Sequence, residues 1–266
     1  MSEDIEQRIL RYLDDGFEDT DYIAESVNSQ PFSNLAESIC KLLKSSNEDT
    51  FSMTGLFLRD AILYGNRNEA CHQFIAAYPE SVIVKALEEL VFSDNYVIQS
   101  ETIYTLGKTC SYSSKTVLSQ AFDRFRDTHP LLLTRLLAEM GWLGVENLEH
   151  YIEQMANSSS YLTRWAAVQL IQLNDDDKLP NWAEELRRDE YELIRVEAEY
   201  ECQRILKRFQ TPILSKIEQR QLAKAIKKIE PKISFFGTCL KFSNHLANNG
   251  LRQYTVADFE AYVDNS

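Results

Sequence analysis

Apolar and polar positions recur along most of the chain with the period of an α-helix. Ile98, Thr102 and Leu106 fall four apart, as do Thr134, Ala138 and Trp142; Thr163, Ala167 and Ile171; and Ile194, Ala198 and Cys202. That spacing puts each set on one face of a helix, and a small middle residue lets a neighbouring helix approach closely. Each such stretch follows a second amphipathic one: SVIVKALEELVF, SKTVLSQAFDRF, VENLEHYIEQM and KLPNWAEELRR. Asp94-Asn95, Asp127-Thr128, Ser158-Ser159 and Asp189 sit where the second helix of each pair would begin. Their side-chain oxygens suit the N-cap, because they accept from first-turn amides that lack a partner within the helix. The pattern predicts helical hairpins of about 30 to 40 residues.

The ends of the chain read as helices too. Ile5, Ile9, Leu10 and Leu13 form one stripe, and Leu35, Ile39, Leu42 and Leu43 another, with an acidic connection over Asp14–Asp21. After Thr211-Pro212 the stretch ILSKIEQRQLAKAIKKI predicts a helix that turns Ile213, Ile217, Leu222, Ile226 and Ile229 inward and leaves a basic outer face. Glu230-Pro231 ends it, since proline cannot continue a helix. A further helix is expected from Ile233 to about Ala247. The Asn248-Asn249-Gly250 turn then leads to a short last helix, where Thr255 and Asp258 have the form of a capping box.

The central segments also repeat. SDNYVIQSETIYTLGK, DTHPLLLTRLLAEMGWLG, NSSSYLTRWAAVQLIQL and RDEYELIRVEAEYECQRI share a polar turn, an apolar residue followed by Arg or Gln, a small residue, and a bulky residue or Cys. The anchors Gln99, Arg135, Arg164 and Arg195 are separated by 36, 29 and 31 residues, and a fainter copy lies around Arg59, 40 residues before Gln99. One helical hairpin cannot bury its own apolar face, whereas stacked hairpins share a continuous core. Over residues 50–206 the pattern resembles the HEAT and armadillo repeat class, HEAT more closely, because of the Asp-then-apolar-Arg start of the second helix and the Leu106-Gly107 end. The match is degenerate: Gln99 replaces Arg, and the Leu-Gly end is lost after the first strong copy. The resemblance implies an all-α, right-handed superhelix of about five to seven hairpins. It is expected as one domain over residues 1–266, with a helical N-terminal cap over 1–48, repeats over 49–206 and a basic C-terminal cap over 207–266.

Composition narrows the functional classes. The 266 residues include only 8 Gly and 6 Pro, too few turn formers for a many-stranded sheet. No apolar run reaches the roughly 20 residues of a membrane span, and MSEDIEQRIL has acids where a signal peptide needs a basic and then an apolar stretch. A cytoplasmic location is expected. The net charge of −13 disfavours nucleic acid and anionic membranes and favours a basic partner. Residues 1–206 hold 18 Lys+Arg against 36 Asp+Glu, while residues 207–266 hold 10 against 5. Cys40, Cys71, Cys110, Cys202 and Cys239 are scattered without a CxxC pair and read as small core residues in a reducing compartment.

Candidate chemistry is sparse. His72, His129, His150 and His245 lie far apart, with no HExxH, and the adjacent Cys71 and His72 diverge on a helix. The Asp175-Asp176-Asp177 run lacks the alternating ligands and glycine of a calcium loop. No phosphate-binding glycine loop is present, and no cofactor is expected. The series through Arg135, Arg164 and Arg195 reads either as a row of side chains facing a ligand or as a structural ladder in which each Arg pairs with an acid of the next turn or repeat. In the HEAT class second helices line the inner surface, so the resemblance places Glu101, Glu139, Glu197, Glu199 and Glu201 there; these are either an acidic groove for a basic ligand or a solvated helix face. Glu197 and Glu201 are four apart, a spacing at which like charges mildly repel. Tyr161, Trp165 and Tyr200 are interface candidates or inter-repeat packing, while Trp142 and Trp182 are expected inside.

Together these observations predict a non-enzymatic protein-binding solenoid. Its most specific form is an acidic inhibitor, of the immunity type, that neutralises a basic partner such as a nuclease toxin. Its expected contact set is Glu101, Arg135, Glu139, Tyr161, Arg164, Trp165, Arg195, Glu197, Tyr200 and Glu201. A scaffold in a larger assembly is the main alternative, and a HEAT-like protein that modifies a nucleic-acid base or a chromophore is another.

Overall fold

The computed structural model describes residues 4–173 and 177–265. Asp175 and Asp176 of the acidic run lie outside the described residues. Every regular element among the described residues is helical, as the periodicity predicts, and none of the helices is long and apolar enough to cross a membrane. The chain divides into two compact units, one of residues 1–123 with 138–146, the other of residues 124–137 with 147–266. The division falls within the repeat segment rather than at residues 48 or 206.

The first unit opens with α1 (Ile5–Leu10), α2 (Tyr12–Asp15) and α3 (Thr20–Val27). Two pairs follow: α4 (Phe32–Leu43) with α5 (Glu48–Leu63), then, after the short α6 (His72–Ala77), α7 (Val82–Leu90) with α8 (Tyr96–Lys108). First helix packs on first helix, α4 on α7, and second on second, α5 on α8. This follows from the stripes: Leu35, Ile39, Leu42 and Leu43 on α4 and Ile83, Val84 and Leu87 on α7 are all buried, and the two helices pack on one another. Helices α9 (Lys115–Phe125) and α10 (Pro130–Trp142) complete the middle of the chain.

The second unit repeats the arrangement. The pair α11 (Leu148–Ala156) and α12 (Tyr161–Val168) stacks on the pair α13 (Asn181–Leu186) and α14 (Glu192–Gln210), again first on first and second on second. A hairpin of α14 with α15 (Lys216–Lys228) follows, then α16 (Phe235–Asn248) and α17 (Val256–Asp264). The last two helices do more than end the chain. The Tyr254 hydroxyl accepts from the Leu131 amide, 123 residues earlier, at 3.3 Å, and its ring meets His129 edge-on.

The predicted inner faces hold in three of four copies. Thr102 and Leu106, Thr163, Ala167 and Ile171, and Ile194, Ala198 and Cys202 are all buried, while Ile98 of the first set is half-buried. On α10 the expectation fails: Ala138 is exposed and Trp142 is 57% exposed, while Leu132, Leu133, Leu136, Leu137 and Met140 are inside. That helix is apolar on more than one side, and the leucine-rich stripe wins the larger buried area. Trp142 instead carries the Lys108 ammonium 4.5 Å from its ring. Trp182 is buried as expected.

Caps follow the predicted chemistry with small shifts. Asn95 caps α8 and Thr255 with Asp258 forms the expected capping box, but Ser160 rather than Ser158 or Ser159 caps α12. Two apolar assignments at the ends do not hold. Leu13 is 51% exposed, and on the segment leading into α15 Ile213 is 83% and Ile217 67% exposed, leaving Ile226 as that helix's buried anchor.

Candidate partner-binding surface

Two members of the arginine series, Arg164 and Arg195, make internal contacts in the second unit, and only Arg164 pairs with acids of the next repeat. Arg164 on α12 donates from Nε to Asp189 Oδ2 at 2.6 Å and from Nη1 to the Ser158 and Ser159 carbonyls at 2.8 and 3.2 Å. Arg195 on α14 repeats the second half of that motif, donating from Nη1 to the Asp189 and Glu190 carbonyls, both at 2.6 Å. In each copy the guanidinium therefore clamps the turn that precedes its own helix. Asp189 joins the copies: one oxygen also accepts from the Tyr191 amide at 2.9 Å, so it holds the turn before α14 while pairing with α12, but the N-cap of α14 is Tyr191 and not Asp189 as the sequence predicts. Arg59 plays a related part in the first unit, donating to Glu101 and, at 2.8 Å, to Thr105 Oγ1, which ties α5 to α8. Arg135 lies exposed on α10.

The expected groove acids are engaged internally. Glu101 pairs with Arg59, Glu139 with Lys108 at 3.4 Å, Glu199 with Arg187 at 2.6 Å and Glu201 with Arg204 at 2.8 Å. Glu197 is an interior residue, 2% exposed. It accepts from Trp165 Nε1, from Gln169 Nε2 at 2.7 Å and from the Phe235 amide at 2.9 Å. The last of these belongs to the first residue of α16, so a carboxylate on α14 meets the positive end of that helix. Burial pushes Glu197 up to about 7, against three donors that pull it down.

Trp165, Glu139, Glu197 and Glu201 are thus buried, and they leave the accessible surface on which the sequence places them. For Trp165, Glu197 and Glu201 the physical reason is the same: a polar atom that finds a partner inside loses little by burial, while the rest of the side chain gains from leaving water. Tyr161 stacks on Tyr191 with ring centroids 4.6 Å apart at 13°. Its hydroxyl is pushed up to about 12 by burial and by the acids Glu260 and Asp264. Tyr200 is half-buried on α14 under the Arg204 guanidinium.

The uncompensated acid lies elsewhere. The first unit holds 9 Lys+Arg and 22 Asp+Glu, a net −13, and the second holds 19 of each, a net zero. Within the first unit the 29 residues from Tyr12 to Cys40 contain seven acids and no Lys or Arg. Here α2 turns into α3 through Gly16, Phe17, Glu18 and Asp19. Asp14, Asp15, Glu18, Asp19 and Asp21 are exposed, and among them stand Leu13 and Phe17, each 51% exposed.

This acidic turn is built rather than loose. The buried Tyr12 hydroxyl accepts from the Glu18 amide and donates to Asp60 Oδ2, both at 3.0 Å, while the Tyr64 hydroxyl donates to Glu18 Oε1 at 3.0 Å. Burial raises Tyr12 well above the usual phenol range and also raises Asp60, against the opposing effects of the Tyr12 hydrogen bond and of Arg59. Glu18 sits at φ 58°, in the left-handed region that costs a non-glycine residue energy. At Gly16 an added Cβ would lie 2.2 Å from the Tyr22 ring, so only glycine fits. Asp19 caps α3 through the Asp21 and Tyr22 amides.

Comparison with models of protein families, with curated proteins and with solved structures finds no match. Among the described residues no group of three or more His, Cys, Asp or Glu side chains converges to hold a metal ion. His129 is held below the usual imidazole range, chiefly by burial and then by Arg124, and it packs against Phe125 and Tyr254. The Cys71 and Cys202 thiols are buried, and burial pushes Cys202 up to about 12. In the sequence the α2–α3 turn is hidden, because its acids have the character of a connection. The signal available was the 29-residue gap without a cation, interrupted by Leu13 and Phe17.

Proposed function

We propose that the protein is a non-enzymatic binding module for a basic protein, and that the α2–α3 turn of the first unit is its contact surface. One observation carries the reading: an apolar pair, Leu13 and Phe17, stands exposed among the exposed acids Asp14, Asp15, Glu18, Asp19 and Asp21, of which Asp15 pairs with Arg11 at 3.0 Å, on a turn pinned from beneath. Protein interfaces place large apolar anchors at the centre and polar groups at the rim. A surrounding field of one sign speeds the arrival of an oppositely charged partner. Pinning through Tyr12 means little ordering remains to be done on binding.

The stacking of first on first and second on second helices within each unit supports a HEAT-like solenoid. The concentration of all the net charge in one unit supports a dedicated inhibitor that captures a basic protein such as a nuclease toxin, rather than an evenly charged scaffold.

The test is affinity capture from the native host at low salt, with wild type beside a Phe17→Ala variant and an Asp14→Lys/Asp19→Lys variant. The expected result is one basic protein, recovered in stoichiometric amount by the wild type and lost by both variants. If that protein is a nuclease, its activity should fall on addition of the wild type alone. Equal recovery by all three proteins would remove the turn from the interface. Recovery of only neutral or acidic proteins would refute the charge argument.

A further inference from the structure

The second unit carries a feature of opposite sign. Between α14 and α15 lies a cavity of about 590 Å³ whose lining includes Arg204, Lys207 and Arg208 on one side and Ile226, Lys227 and Glu230 on the other. Helical geometry explains the cluster. Tyr200, Arg204 and Lys207 follow one another at four- and three-residue steps on one face of α14, and the α15 hairpin brings Lys227 to the same cavity. The floor is apolar, with Ile226 7% exposed.

The charge there is one-sided. Residues 204–232 hold nine Lys+Arg and two Asp+Glu. Arg204 is engaged by Glu201, but Lys207, Arg208 and Lys227 have no carboxylate within ion-pair distance among the described residues. Cations in the last turns of α14 and α15 offset the helix dipoles. That accounts for their presence near helix ends but not for four of them converging on one concavity. Like charges at three- and four-residue spacing repel mildly, and an anion placed among them removes the repulsion.

We infer that this cavity binds a small anion carrying two or more phosphate groups, held by Lys207, Arg208 and Lys227, with Arg204 shared with Glu201. The volume is that of a small-molecule site. Guanidinium and ammonium groups together give the bidentate and point-charge contacts that phosphate oxygens take. The unit that holds the cavity has a net charge of zero.

Isothermal titration with inorganic tripolyphosphate, at low salt and without added metal, tests this. Saturable one-to-one binding is expected. A Lys207→Ala/Arg208→Ala variant and a Lys227→Ala variant should each weaken it at least tenfold. A Lys216→Ala/Lys224→Ala variant, which removes equal charge from the exposed face of the same hairpin, should change it less than threefold. All these side chains are at least partly solvent-exposed, and unchanged circular dichroism and Tm confirm that the variants fold. No binding by the wild type overturns the proposal, as does equal weakening by the control pair, which would make the effect one of overall charge. Tighter binding of a single-stranded RNA homopolymer than of tripolyphosphate would also overturn it, in favour of nucleic acid. Binding of ATP without binding of tripolyphosphate would overturn it too, since the base and not the phosphate would then be recognised.

Discussion

Replacing Glu197 with glutamine should change how stability depends on pH. In the wild type the carboxyl is raised from 4.5 to about 7, mainly by burial. A proton is therefore held more tightly in the folded chain than in the unfolded one. The stability this contributes is fully present below pH 4.5, is lost as pH rises through the window up to about 7, and is absent above it. At about 1.36 kcal/mol per pH unit the loss amounts to about 3 kcal/mol. The substituted glutamine has no such proton. Its amide would point one N–H group toward donors, Trp165 Nε1 and the Phe235 amide or Gln169 Nε2, at a pH-independent cost of about 1–3 kcal/mol. Urea unfolding of both proteins between about pH 4.5 and 8, followed by tryptophan fluorescence, gives the difference in stability at each pH. Groups that titrate alike in both proteins cancel in that difference. The wild type should lead by most at the acid end, and its lead should shrink by about 3 kcal/mol toward pH 8. Parallel curves would refute the reasoning. They would mean that the three donors hold the carboxylate ionised throughout, and that hydrogen bonding outweighs desolvation at this site.

Other expectations follow from the same contacts. Arg164→Ala strands Asp189, whose side chain is 6% exposed, and should cost about 3–5 kcal/mol in chemical denaturation; Arg164→Lys should recover only part, because the ammonium cannot span Asp189 and two carbonyls at once. Gly16→Ala drives a methyl group against the Tyr22 ring, so a loss of about 1–3 kcal/mol is expected, together with weakened capture of the basic partner. Acrylamide should quench Trp142, 57% exposed, and leave Trp165 and Trp182 protected; a Trp142→Phe variant that still shows strong quenching would place a different tryptophan at the surface. Raising the pH from about 7 to 9 should leave Cys202 unreactive toward iodoacetamide in the folded protein, since burial holds its thiol up at about 12.

Local periodicity carried much of the helical architecture. The Ile194, Ala198 and Cys202 face lies inside because residues four apart share a face whatever the partner is. Capping chemistry was equally local, so Thr255 with Asp258 was legible as a cap. What local pattern does not contain is the choice between competing faces. Helix α10 offered Thr134, Ala138 and Trp142 on one side and a leucine stripe on the other, and only packing against other segments selects the second. Glu197 illustrates the same gap. In a stretch with four glutamates it reads as part of a charged surface, yet its partners Trp165, Gln169 and Phe235 come from 28 to 38 residues away and make the interior habitable. The acidic turn was visible as charge but not as a platform, because the Tyr12–Asp60 support spans 48 residues.

The bond between the Tyr254 hydroxyl and the Leu131 amide sets a timetable for the growing chain. The ribosome makes these residues 123 positions apart, which at roughly 5 to 20 residues per second is about 6 to 25 seconds. During that interval the start of α10, with Leu132 and Leu133 destined for the interior, waits for its last neighbour. The residues of the acidic unit, which end at Glu146, are all synthesised long before Tyr254 leaves the ribosome. The nascent protein therefore presents its negative turn early and completes its second unit late.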